Sequence, residues 1–252
     1  MNVLGFEWIK MRSISSPWLT ALSAIFAGTT LSMLGVSDLI GVSPADLPDG
    51  WDPTAESLKG FLFAQLLVGM LGAHSITSEY ATGLIGTSLA VVPARFRLLA
   101  AKTTVVCVMS LGTGIATTLL SFTAIQAMLA GAGLASAGIA DPGVARALVG
   151  AMLYLTLVGL MGLAVGVLTR STTASLATLI GVTLLVPAIA PGIPGAVGGW
   201  LQHYWPISSG QAAYRVVPVD AVVGPELGLG ILAAVTAAVG TAAFVSFSVR
   251  DA

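Results

Sequence analysis

Six long apolar runs, almost free of charged residues, constrain this chain more than any other feature. They cover residues 17–36, 58–77, 102–132, 144–168, 172–189 and 227–249. An α-helix needs about 20 mostly apolar residues to cross a bilayer, and each run approaches or exceeds that length. The sequence therefore predicts an all-α integral membrane protein, with six transmembrane helices in a single transmembrane domain over residues 1–252.

The low charge of the chain excludes most other classes of protein. Only 8% of the residues are charged, whereas an ordinary soluble domain carries about 25%. The 10 Lys and Arg residues are balanced by 11 Asp and Glu residues, so no basic surplus is present to bind nucleic acid. Membrane lipid is the expected surrounding, and no nucleic-acid partner is expected.

The distribution of basic residues predicts the orientation of the chain, because Lys and Arg near span ends favour the cytoplasmic side. With the N-terminus in the cytoplasm, only Lys59, Arg146 and Arg215 lie outside. We therefore expect a multi-pass protein of the cell membrane with both termini cytoplasmic. The basic residues expected on the cytoplasmic side are Lys10, Arg12, Arg95, Arg97, Lys102, Arg170 and Arg250.

No catalytic site and no metal site are expected. The chain has two His and one Cys, too few for the clustered ligands that a zinc site needs. It also lacks the G-x-x-x-x-G-K-[ST] loop that holds nucleotide phosphates. His74 is the only titratable group that the predicted spans place well inside the membrane, so the relay of ionisable groups typical of a proton-driven carrier is missing.

Some residues within the predicted spans favour helix–helix contacts. Gln65 and Gln126 are interpreted as hydrogen-bonding groups between helices. Small residues let helices approach closely in lipid. Pairs of such residues are Gly69 with Ala73, Gly162 with Gly166, and Gly112 with Gly114, although this spacing is frequent by chance in a chain with 30 Gly.

Residues 1–16 precede the first span and predict a helix that lies at the membrane interface. Leu4, Trp8 and Met11 fall on one face of such a helix. Tryptophan with nearby basic side chains is common at this depth. The candidate interfacial residues are Phe6, Trp8, Lys10 and Arg12.

Residues 78–102 connect the second and third spans and contain a short apolar segment, residues 84–91, that predicts a helix. A helix of this length cannot span the membrane, so it lies in the interface or docks on a partner. The alternative is a plain interfacial turn whose arginines extend to water. The residues alone do not decide between the helix and the plain turn.

Residues 191–226, between the fifth and sixth spans, hold four aromatic residues and several Pro and Gly. Aromatic rings favour the headgroup level, so we expect short re-entrant helices that dip into the outer leaflet. Trp205 and Tyr214 are the candidate residues of an exit gate. An aromatic belt without gating is the other interpretation.

The connection between spans two and three resembles that of the membrane subunits of type-2 ABC exporters. In that family a Glu-aromatic-x-x-Gly-Thr-like segment leads to Pro and Arg and forms the coupling helix. Here Glu79, Tyr80 and Gly83 match, followed by Pro93 and Arg95. The family's Gly-Thr pair is split, because Gly83 precedes Leu84 and Thr87 follows Gly86. The segments FEWIKMRS and WPISSGQAAYRV are similar to the family's interfacial helix and outer helical segment.

The resemblance implies a permease subunit that exports an amphipathic or lipid-like substrate. A separate ATPase chain would bind ATP and Mg, so this chain would need no cofactor, and a second permease copy or a related permease would complete the pathway. The implied coupling residues lie at the membrane surface, where replacing Glu79 or Arg95 should cost little in folding. They are Glu79, Tyr80, Gly83, Thr87, Pro93, Arg95 and Arg97. The alternatives are a non-transport scaffold or assembly protein, and an ion-gradient-driven carrier.

Overall fold

The computed structural model describes residues 3–39, 41–47, 50–92, 94–218 and 223–249. These residues form helices and connecting turns, with no strand among them, which confirms the all-helical prediction. Six helices are long and apolar enough to cross a membrane. We call them spans 1 to 6, and they are Ser15–Ser37, Phe61–Ala81, Arg95–Gly131, Val144–Thr169, Thr172–Gly192 and Pro225–Val249.

Shorter helices lie outside the spans. The N-terminal helix covers Val3–Ser13, and the short helix covers Leu84–Val91. Pro53–Ser57 forms a single turn before span 2. The segment between spans 5 and 6 contains helices Gly195–Tyr204 and Pro206–Gln211. Single 3₁₀ turns occupy Pro44–Asp46 and Ala212–Tyr214, and a third, Ala190–Gly192, ends span 5.

Two span bounds differ from the prediction in a way that matters for the charged residues. Span 2 continues through Glu79 to Ala81, and span 3 begins at Arg95 rather than at Lys102. The hydropathy pattern misses these turns because each contains charged side chains. Glu79 is paired with two lysines and Arg95 donates to backbone carbonyl groups of span 6, whereas Arg97 is exposed, so the helices continue through these residues.

Span 4 lies at the centre of the bundle. It packs against spans 2, 3, 5 and 6, and it is the most buried of the six spans. Span 1 packs against spans 2 and 3. Spans 1, 5 and 6 are the least buried, so they form much of the outer surface of the bundle.

Glycine allows spans 2 and 4 to make backbone contact. A Cβ added at Gly72 would collide with the carbonyl oxygen of Gly159, and one added at Gly162 would collide with that of Gly69. The prediction of a close approach is therefore confirmed for Gly69 and Gly162. It is wrong for Gly112, which has nothing within 4 Å of its Cβ position.

Span 5 contains one π-helical stretch, Gly181–Leu185. Side chains from other elements reach two carbonyl groups of this stretch. Gln65 Nε2 donates to Thr183 O at 3.3 Å, and Trp205 Nε1 donates to Val182 O at 2.8 Å. These bonds join span 5 to span 2 and to the segment before span 6, and they confirm the interhelical role of Gln65.

Direct contacts show which helix ends meet. Glu79 of span 2 pairs with Lys102 of span 3, and Arg170 lies over the ring of Tyr80. Arg95 reaches the last turn of span 6. We call this the basic end of the bundle; Lys10, Arg95, Lys102 and Arg170 all lie there.

The opposite end is held together by polar contacts between loops. The Asp52 carboxylate accepts backbone hydrogen bonds from Thr54 and Ala55 of its own turn. It also accepts bonds from Val216 N at 2.7 Å and Val217 N at 2.9 Å. The loop after span 1 is thereby attached to the segment that leads into span 6.

Gln126 makes a similar junction at the opposite end. Its amide nitrogen donates to Ser57 Oγ at 2.8 Å and to Pro53 O at 2.9 Å. Its amide oxygen accepts from Ala137 N at 2.6 Å. The predicted interhelical role of Gln126 is confirmed, because it joins span 3 to the turn before span 2.

Candidate functional site at the basic end

Four charged side chains form a cluster at the basic end, three of them buried and the fourth, Lys10, partly buried. Lys102 Nζ donates to Glu7 Oε2 at 2.8 Å and also pairs with Glu79 Oε1. Lys10 Nζ donates to the same Glu79 oxygen at 2.6 Å. Two carboxylates and two ammonium groups balance in charge, which is the condition for burying ions away from water.

Three different elements supply this cluster. Glu7 and Lys10 lie three residues apart on the N-terminal helix, which places them on the same face. Glu79 lies in the last turn of span 2, and Lys102 lies in the second turn of span 3. Glu7, Glu79 and Lys102 are 5%, 2% and 2% exposed. The cluster therefore fixes the N-terminal helix to both spans.

The short helix is attached to the same cluster. Gly83 adopts a left-handed conformation, φ 70°, that turns the chain sharply out of span 2. Ser88 Oγ donates to Glu79 Oε2 at 3.4 Å, and Ile85, one turn earlier on the same helix, is buried. The helix thus packs through one face.

The other face of the short helix is exposed. Leu84 is 48% exposed, and Gly86, Thr87 and Ala90 are exposed as well. The exposed face is apolar or neutral. It offers a surface for a partner or for lipid, positioned by the buried charges behind it.

The remaining residues of the predicted coupling segment occupy different environments. Tyr80 is partly buried, and the Arg170 guanidinium lies 5.1 Å from its ring centroid. Arg95 Nη1 donates to Phe247 O at 3.3 Å and to Ser248 O at 3.4 Å. Arg97 is exposed. Pro93 lies outside the described residues.

The expectation that Glu79 sits at the surface, where its loss should cost little, is wrong. Its carboxylate is buried and pairs with two lysines. Arg95 is also more than a surface charge, because it bonds to carbonyl groups in the last turn of span 6. Both side chains hold separate helices together.

Sequence reasoning missed Glu7 as a member of the site. It named Phe6, Trp8, Lys10 and Arg12 on the N-terminal helix, of which Phe6, Trp8 and Arg12 are exposed. The sequence signal that could have indicated Glu7 is that it is the single acidic residue in an otherwise apolar or basic helix. A buried partner for it could not be named, because Lys102 is 95 residues away.

The two candidate gate residues, Trp205 and Tyr214, lie at the opposite end, and contacts within the fold hold both side chains in place. Tyr214 is buried and packs edge-on against Phe61 and Tyr154, with ring centroids 5.6 Å and 5.5 Å apart. This burial raises the pKa of the Tyr214 phenol above its usual value. Trp205 is bonded to span 5. Their role as an exit gate stays a prediction.

Comparison with protein-family models found no match to this chain, and comparison with curated proteins found none. Within the described residues, no group of three or more His, Cys, Asp or Glu could hold a metal ion. The buried charge cluster and the short helix attached to it are the most specialised features of the fold. They form the candidate functional site.

Proposed function

We propose that this chain is the membrane-spanning permease subunit of an ABC exporter, driven by ATP that a separate ATPase chain hydrolyses. One observation carries the proposal. A helix too short to cross a membrane presents an exposed face at the basic end. Its other face buries Ile85 and is hydrogen-bonded through Ser88 to Glu79, which belongs to the buried charge cluster. Such a helix is suited to receive a partner protein and to pass its movement to the membrane helices.

The buried charges make the short helix a stiff connection. Ser88 binds Glu79, and Glu79 binds Lys102 and Lys10. Separating buried opposite charges is expensive, because each would be left without its partner in an apolar surrounding. The end of span 2, the start of span 3 and the N-terminal helix are therefore expected to move together, and the short helix is joined to them through its chain connection to span 2 and the Ser88 hydrogen bond.

The proposed orientation places the basic end in the cytoplasm, where ATP is available. We expect a membrane-impermeant maleimide to label Asp46→Cys in intact cells, in a background in which Cys107 is replaced by Ala. Thr87→Cys should react only after the cells are permeabilised. Asp46 and Thr87 are both exposed, so access to reagent decides the result. Labelling of Thr87→Cys in intact cells would contradict this orientation.

Binding of the ATPase should depend on the exposed face of the short helix. We expect Thr87→Lys to reduce binding of the proposed partner ATPase by at least about tenfold. A lysine there adds a charge to an apolar contact, and an unpaired charge at a contact costs more than about 1.4 kcal/mol. Binding is measured by titration of the ATPase against the purified full chain in nanodiscs.

Ser136→Lys is the matched control, because Ser136 is exposed in the loop after span 3, at the opposite end. It adds the same charge and should bind the ATPase as the unaltered chain does. Equal binding by both variants would argue against docking on the short helix. Binding without stimulated ATP hydrolysis would favour a scaffold, and proton-driven flux without ATP would favour a carrier.

A second copy of the chain, or a related permease, is proposed to complete the pathway. The exposed apolar side chains of span 1 are available for that contact; they include Leu19, Leu22 and Phe26, at 66%, 60% and 72% exposed. The mass of the purified complex tests this, with two permease chains expected for each functional unit.

A further inference from the structure

Pro187 lies just after the π-helical stretch of span 5, Gly181–Leu185, and affects the hydrogen bonds of two carbonyl groups within it. In an α-helix a carbonyl oxygen accepts from the N–H four residues later, and in a π-helix from the N–H five residues later. Proline has no N–H. Pro187 therefore withholds a donor from Thr183 O in the α register and from Val182 O in the π register.

Span 5 is in the π register at this point. Val186 N, which would donate to Val182 O in an α-helix, donates to Gly181 O instead. Val182 O has thereby lost its α-register donor, and its π-register donor would be Pro187. The indole Nε1 of Trp205 donates to Val182 O from outside the span, at 2.8 Å. This bond replaces the one that the π register lacks.

A second side chain is in place to do the same for the α register. Gln65 Nε2 donates at 3.3 Å to Thr183 O, the carbonyl group from which Pro187 withholds a donor in that register. Span 4 orients the Gln65 amide, because Tyr154 Oη donates to Gln65 Oε1. Each register of span 5 thus has its own side-chain donor, and the two donors come from different elements.

The two donors differ in how firmly they are held. Gln65 is fully buried within span 2. Trp205 is only partly buried, and it lies between the helices Gly195–Tyr204 and Pro206–Gln211. Both helices are too short to cross a membrane. A displacement of the segment between spans 5 and 6 therefore withdraws Trp205 from span 5 and leaves Gln65 in place.

We propose that Trp205 is a switch that sets the helical register of span 5. With the indole on Val182 O, the stretch is π-helical. When the segment between spans 5 and 6 moves the indole away, the stretch rewinds to an α-helix, in which Val186 N donates to Val182 O. Gln65 then supplies the donor that Thr183 O needs. The switch requires neither an ATPase nor a substrate, so it does not rest on the proposed transport function.

The change of register rotates the end of span 5. A π turn holds one residue more than an α turn, so its loss rotates the following residues by about 100° and shifts them by about 1.5 Å. Each later residue then takes the direction now held by the next one. Ile189 is 49% exposed and Ala190 is 1% exposed, whereas Pro191 is exposed. In the α register Ile189 therefore turns inward and Ala190 turns outward.

The test measures the reactivity of a cysteine at each of these two positions. Ile189→Cys and Ala190→Cys are made separately in the full chain with Cys107→Ala, and modification by methyl methanethiosulfonate is followed in nanodiscs. With Trp205 present, Ile189→Cys should react at least about tenfold faster, because thiol reactivity depends on exposure. Trp205→Phe keeps an aromatic ring, removes the indole N–H and should reverse this order. An unchanged order in Trp205→Phe would overturn the proposal.

Trp200→Phe is the matched control, because it makes the same chemical change in the same segment. Trp200 is 55% exposed, and its indole nitrogen bonds to none of the residues that the structure describes. With Trp200→Phe, Ile189→Cys should still react faster than Ala190→Cys. Reversal of the order by Trp200→Phe as well would contradict the assignment of the switch to Trp205.

Equilibrium unfolding in mixed micelles of detergent and lipid tests whether the two donors serve different registers. Trp205→Phe leaves the α register with its donor, and Gln65→Met leaves the π register with its donor. The double variant leaves a carbonyl group without a partner in either register, which weakens folding by about tenfold or more. It should therefore lower the folding equilibrium constant at least about tenfold beyond the product of the two single effects. A simple product would indicate two independent hydrogen bonds and would overturn the switch.

Discussion

Replacing Lys102 with methionine is expected to destabilise the folded chain by about 3–5 kcal/mol, because Glu7 and Glu79 would then be buried with one ammonium group fewer. Lys102 is 2% exposed and bonds to both carboxylates. The measurement is equilibrium unfolding of the purified chain in mixed micelles of detergent and lipid. The short helix should also loosen, because Glu79 anchors it through Ser88.

Lys59→Met is the matched control for Lys102→Met. Lys59 pairs with Glu56, but its side chain is 48% exposed, and exposed pairs contribute about 0–1 kcal/mol. Removing Glu7 and Lys102 together, as Glu7→Gln with Lys102→Met, should cost less than the sum of the two single changes. The double variant leaves Glu79 paired with Lys10. Equal effects of Lys102→Met and Lys59→Met would contradict the buried cluster.

Gly72→Ala is expected to destabilise the bundle by about 3 kcal/mol or more, at the upper end of the cost of overpacking. The added methyl group would collide with the backbone oxygen of Gly159, which cannot rotate away as a side chain can. Spans 2 and 4 would have to separate along their contact, and that contact includes the centre of the bundle. The same unfolding measurement in micelles detects the change.

The control for Gly72→Ala is Gly112→Ala on span 3. Gly112 has open space around its Cβ position, so alanine there should be neutral or stabilising by up to about 1 kcal/mol through helix propensity. The two variants make the same chemical change in helices of similar composition. Comparable destabilisation by both would show that the contact between spans 2 and 4 is looser than described.

The helical architecture could be predicted from the sequence because it depends on local properties. Twenty or so apolar residues in a row make a spanning helix whatever their neighbours are. The same local reasoning placed the short helix at residues 84–91, where it is found. It placed Gly69 and Gly162 at helix contacts but could not tell them from Gly112, because the face that a span turns towards its neighbour depends on the whole bundle.

The charge cluster could not be predicted because its members are far apart in the chain. Glu79 and Lys102 lie at the ends of predicted spans, so the sequence predicts that both sit at the membrane surface. Their burial depends on Glu7 and Lys10, which the N-terminal helix brings from 95 and 69 residues away. Contacts of this separation leave no trace in hydropathy or spacing. The roles of Thr87 and Arg97 in docking stay predictions, because a docking residue can be identified only from its contact with the partner.

The rate of ATP hydrolysis by the proposed partner ATPase, measured with and without this chain in lipid vesicles, tests the central claim most directly. The purified chain alone should not hydrolyse ATP, because it lacks a phosphate-binding loop. The ATPase should be stimulated by the unaltered chain and by Ser136→Lys, and much less by Thr87→Lys. Hydrolysis by the isolated chain after removal of contaminating ATPases, or equal stimulation by Thr87→Lys and the unaltered chain, would contradict the account.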